Sequence, residues 1–87
     1  MDMKTKLTDD KAFYVKNGPV IKSVKELAEA LDSDSISDEA FQFHLNNNNN
    51  DFINWIDGVY KASDLVKSLK RVKTKKGFAK KLHEAVK

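Results

Sequence analysis

The chain reads as a mainly α-helical single compact domain of about five short helices, preceded by a short β-hairpin or extended N-terminal segment. Three observations predict this. Apolar residues recur at helical spacing in five separate stretches, and Ser, Thr or Asn stands at the head of each. The one run of aromatic and β-branched residues, Phe13-Tyr14-Val15, is followed closely by Asn17-Gly18, a hairpin-turn pair. Eighty-seven residues suffice for one core, so 12–87 is expected as one helical domain and 1–11, polar and without periodicity, as a flexible leader.

In chain order, Ala12 to Lys16 favours a strand, Asn17-Gly18 supplies the positive φ angles of a tight turn, and Val20-Ile21-Lys22 forms the return arm. Pro19 cannot donate to a ladder, which keeps that arm short or at an edge. Ser23 with Glu26 three positions later is a capping box, and Val24, Leu27, Ala28 and Leu31 follow as one helical stripe that stops near Asp32. Asp32-Ser33-Asp34-Ser35 is turn chemistry. Ser37 then caps a second helix, with Asp38 and Glu39 at its positive end and Ala40, Phe41, His44 and Leu45 inward.

The asparagine run 46–50 ends that helix, and Asn50 or Asp51 caps a third whose Phe52, Trp55, Ile56 and Val59 carry the largest side chains of the core. Gly58 weakens its end. Ser63 is expected to cap a fourth helix with Leu65, Val66, Leu69 and Val72 inward, and Thr74 a fifth with Phe78, Ala79, Leu82 and Val86 on one side. The apolar sides of these last two helices are expected to seat against Trp55 and its neighbours.

The succession Phe13, Gly18, Ile21, Ser23, Glu26-Leu27-Ala28, Leu31, Phe41, His44, Asn50-Asp51-Phe52, Trp55-Ile56, Leu65 and Leu69 resembles a family of small prokaryotic, mostly archaeal, helical domains of unknown function. In that family a hairpin-like start precedes helices bearing a His and an Asn-Asp-Phe-x-x-Trp-Ile segment. The resemblance covers roughly residues 12–71, and only the segment from Asn50 to Ile56 is distinctive. It implies a mostly helical domain without an established activity. The long asparagine run and the basic C-terminal end depart from the pattern.

Function is hinted at by charge. Residues 1–60 hold six lysines against eleven acidic residues, a balance of −5, whereas 61–87 hold ten basic residues against Asp64 and Glu84, a balance of +8; together they make the chain's +3. An acidic body joined to a basic end attracts a polyanion or a complementary protein surface. Lys67, Lys70 and Arg71 fall on one side of the fourth helix, Lys73, Lys75 and Lys76 crowd the turn after it, and Lys80 and Lys81 extend the charge along the fifth. These eight residues are the candidate nucleic-acid-binding set for DNA or RNA. The predominance of lysine over arginine favours contact with phosphates over bidentate reading of guanine, so little sequence selectivity is expected.

The plain alternative is that a lysine-rich helical face is only a solvated surface. A functional alternative is a protein-interaction or self-assembly module, in which acidic helices of one copy meet basic helices of another, or a partner binds an apolar groove at Phe43 and Tyr60.

Catalysis is not expected, and no catalytic residue is nominated. His44 shares an apolar face with Phe41 and Leu45, which reads as a core-edge histidine bonded to the start of the next helix, while His83 on the basic helix reads as exposed. Two distant histidines and no cysteine give no metal-ligand spacing, and Asp32, Asp34, Asp38 and Glu39 lack the glycine and terminal glutamate of a calcium loop. No cofactor or metal is expected. Uninterrupted apolar runs are too short for a transmembrane helix or a signal-peptide core, so a cytoplasmic location without membrane association is expected.

Overall fold

Alternation along the first strand decides how the chain enters its core. In the computed structural model, which describes residues 3–46 and 49–86, β1 (Phe13–Tyr14) pairs antiparallel with β2 (Val20–Ile21), Phe13 opposite Ile21 and Tyr14 opposite Val20. The two-residue period buries Phe13, Val15 and Ile21 and leaves Tyr14 and Val20 outside. Gly18 N–H donates to the Val15 carbonyl and Val15 N–H to that of Pro19, so proline serves here only as an acceptor. Of the turn pair, Asn17 takes the left-handed conformation, at φ 55°, and Gly18 does not. Gly18 supplies room instead, since a Cβ there would lie 2.8 Å from Val15 Cγ1.

The segment expected to be a flexible leader is tied down over the part described, while Met1 and Asp2 lie outside the described residues. Leu7 N–H donates to the Lys22 carbonyl and Lys25 N–H to that of Met3. A 3-10 turn at Asp9–Lys11 offers the Asp9 carbonyl to the Tyr14 hydroxyl and the Lys11 carbonyl to the Trp55 indole N–H. Met3 and Leu7 also pack against the core, which periodicity could not reveal because each is a lone apolar residue.

Five helices follow: α1 (Val24–Asp32), α2 (Asp38–His44), α3 (Asp51–Tyr60), α4 (Ser63–Leu69) and α5 (Lys75–Ala85). Ser23, Ser37, Asn50 and Thr74 each accept from the backbone N–H three residues on, as their capping chemistry requires. The capping box at α1 is shifted by one residue, because the Glu26 carboxylate accepts from Lys22 N–H and not from the cap. Ser63 is not a cap: Ala62 holds that position without a side-chain bond, and Lys61, left-handed at φ 54°, ends α3 just before it. Asn47 and Asn48, part of the run expected to end α2, lie outside the described residues; the helix ends at His44, and Leu45 bridges to Asn50.

Phe41, Phe52 and Phe78, from α2, α3 and α5, meet one another with ring centroids 5.5–5.9 Å apart, and Phe13 reaches Phe52 at 5.1 Å. All three are essentially fully buried, and such pairs each add about 0.5–1.5 kcal/mol beyond area burial. Ile36, between α1 and α2, is also fully buried and pins its loop to the core. The fifth helix, which buries Phe78, Ala79 and Leu82, packs chiefly on α1, which buries Val24, Leu27, Ala28 and Leu31, and it reaches the neighbours of Trp55 through the Phe78–Phe52 ring contact. A radius of gyration of 11.5 Å matches the roughly 12 Å of a folded chain this long, so these elements form one compact domain.

Candidate nucleic-acid interface

The fourth helix is shorter than its apolar pattern suggests, and this rearranges the basic residues. It stops at Leu69, whose carbonyl accepts from Val72 N–H, so Lys70 and Arg71 stand in the turn and not on the helix. There they join Lys67, Ser68 and Asp64 around an open depression of about 650 Å³. Lys67, Lys70 and Arg71 are exposed and make no ion pair among the described residues. Three cations converge on one concavity against one carboxylate.

Lys73 faces elsewhere, lining a smaller depression of about 230 Å³ with Gln42, Leu45 and Asn46 at the end of α2. Lys76, Lys80 and Lys81 are exposed on α5. At 100° per residue, Lys76 and Lys80 share one side of that helix, while Lys81 stands apart across the position of Glu84. The basic face is therefore continuous from Lys67 through Arg71 and divided along α5.

Lys75 is withdrawn from the surface. Its side chain is only 15% exposed, and its Nζ lies 2.7 Å from Asp34 Oδ1, 3.3 Å from Asp38 Oδ1 and 2.8 Å from the Ile36 carbonyl. The hydrogen bond with Asp34 raises the Lys75 pKa above its ordinary 10.5, against the opposing effect of burial, and the same bond lowers the Asp34 carboxyl below 3.8. Asp34 is left-handed at φ 60°, which with the buried Ile36 side chain turns the loop's oxygens toward α5. His83 is likewise engaged, its Nε2 bonded to Asp32. Carboxylates of the acidic body thus mask part of the basic end within one molecule.

Histidine 44 is buried, with both ring nitrogens in use. Lys16 N–H donates to Nε2 at 3.1 Å, so the ring proton lies on Nδ1 and is donated to Asp51 Oδ2 at 2.9 Å. It clasps the hairpin turn to the start of α3, with its ring edge-on to Phe13 and Phe52. Among the described residues, no three His, Cys, Asp or Glu side chains converge as metal ligands, and no helix is long and apolar enough to cross a membrane.

Of the two residues proposed for an apolar groove, Tyr60 is buried, 8% exposed and edge-on to Trp55, because the inner face of α3 extends to Ile53 and Tyr60. Phe43 remains outside at 49% exposure, with Lys16 Nζ 4.1 Å from its ring centroid. Comparison of the chain with protein-family models, curated proteins and solved structures finds no match.

Proposed function

We propose that the protein is a non-enzymatic helical domain that binds the phosphate backbone of nucleic acid with little sequence selectivity. The observation that carries this reading is the cluster of Lys67, Lys70 and Arg71 around one open depression, free of ion pairs among the described residues. Phosphates are recognised by cations that are accessible, close together and not already neutralised. Lys73 and Lys76 are further exposed cations of the same segment, Lys73 on a separate depression, whereas Lys75 serves the fold. The rival reading, assembly through acidic and basic faces of two copies, is weakened because Asp32, Asp34 and Asp38 already hold His83 and Lys75 of their own chain.

A mobility-shift titration with duplex DNA and duplex RNA at several salt concentrations tests the reading. If Lys67, Lys70, Arg71, Lys73 and Lys76 each meet a phosphate, log affinity falls against log salt with a slope of about −4 to −5 on DNA. Absence of binding at low salt refutes it, and concentration-dependent self-association in the same buffers favours assembly.

A further inference from the structure

We infer that Phe43 is a stacking platform that makes single-stranded nucleic acid the preferred ligand of this surface, an extension that rests on the backbone-binding reading above. Phe43 is one of the few large apolar side chains left outside, about half exposed, at the end of α2. Its ring is held edge-on by His44, with centroids 5.0 Å apart and planes at 86°. Because His44 is itself fixed at both ring nitrogens, the Phe43 ring has a rigid support, and a base meeting it faces a prepared surface.

Its neighbours are those that a nucleotide needs. Gln42 and Phe43 are exposed on α2, and Asn46, two residues past its end, is exposed as well, with its amide donating to the Phe43 carbonyl and accepting from Asn49 N–H. Lys73, from the basic segment, shares a depression with Gln42 and Asn46, and Lys16 arches over the Phe43 ring from the hairpin turn. Two cations supplied by distant parts of the chain therefore stand by this stretch, Lys16 over the exposed ring and Lys73 beside Gln42 and Asn46. Along the chain the phosphate-binding turn at Lys70 and Arg71 leads to Lys73, whose separate depression includes Gln42, the residue next to Phe43. Every base has a π face, so such a platform suits single strands of any sequence, while paired bases stacked inside a duplex cannot reach it. The Lys16 ammonium, already at cation–π distance, sits on a flexible stem that can move from ring to phosphate. Glu39 opposes binding, since it lines a small depression with Lys16 and Asn17 on the same side of α2.

The test is fluorescence anisotropy of the full chain with a 15-nucleotide oligo(dT), oligo(U), an abasic deoxyribose-phosphate chain of equal length, and a duplex. Wild type should bind both base-bearing single strands more tightly than the abasic chain. Phe43→Ala should lose about tenfold on oligo(dT) and oligo(U), with little change on the abasic chain or the duplex. Phe43→Trp should retain the preference, and Phe43→Leu, which keeps the apolar bulk without a π face, should lose it even if Phe43→Ala proves unstable. Glu39→Gln should tighten all ligands modestly. If wild type binds oligo(dT) no better than the abasic chain, or Phe43→Leu binds oligo(dT) as wild type does, the stacking role is refuted while the backbone reading survives. If wild type binds none of the four at low salt, both fail.

Discussion

At the start of α5 one ammonium is surrounded by two carboxylates and a carbonyl, whereas along α4 and the turn after it three cations share an open concavity with a single carboxylate. Lys75 and Arg71 are four residues apart and both counted toward the +8 of the basic end. What separates them is what lies opposite. The loop between α1 and α2 is drawn inward by Ile36 and lays its oxygens against α5, while among the described residues no carboxylate of the acidic body forms an ion pair with α4 or its turn. The same residue type is therefore a strut in one region and an available charge in the other.

The sharpest way to break this comparison is to reverse the charges at the open cluster. The triple variant Lys67→Glu, Lys70→Glu, Arg71→Glu should lose at least about 100-fold in duplex affinity at low salt, because three contacts become three repulsions. Thermal stability should change little, since exposed substitutions of this kind usually stay within about 0.5 kcal/mol each. The neutral triple to Gln should flatten the salt slope by about 3. Binding unchanged in both variants would remove the cluster from the interface.

The next largest effect lies in the body and is read in stability. His44→Ala strands the Lys16 N–H, removes the partner of Asp51 and opens a void between Phe13 and Phe52, at a cost of about 2–3 kcal/mol. In a chain of this size that lowers the melting temperature by roughly 10–20 °C, measurable by circular dichroism. A shift of only a degree or two would show that the clasp between hairpin and α3 is dispensable.

Much of this body was legible in the residues themselves. Ser23, Ser37, Asn50 and Thr74 announce their helices because capping is local chemistry, decided within three residues. Each notable residue of the Asn50–Ile56 segment has a place in the fold: Asn50 caps, Asp51 holds His44, Phe52 joins the aromatic cluster and Trp55 anchors Lys11. Ile36 and Leu7 were missed because a lone apolar residue in a polar stretch has no period to betray its burial. The α1–α5 packing was also hidden, since two amphipathic stripes do not say which of several partners they meet. For the candidate site, composition located the basic end but not its masking, because Lys75 meets acids that lie 37 to 41 residues away in the chain.

The smallest effect sharpens the comparison from its other side. Lys75→Met keeps the hydrocarbon stem in place and removes the ammonium, leaving the Ile36 carbonyl without that donor while Asp34 and Asp38 rehydrate. Solvent around the two carboxylates holds the cost to about 1 kcal/mol, and duplex affinity should change by less than about threefold because this charge is turned to carboxylates of its own chain. The pH dependence identifies the strut. A lowered Asp34 pKa contributes stability above the ordinary 3.8 that is lost as pH falls through the folded value, and a raised Lys75 pKa contributes stability below 10.5 that is lost as pH rises through the folded value. The difference in unfolding free energy between wild type and Lys75→Met should therefore be flat from about pH 5 to 9 and shrink toward both extremes. A variant that bound DNA as poorly as the triple reversal, with the melting temperature of wild type, would instead put Lys75 at the interface and erase the distinction between the two regions.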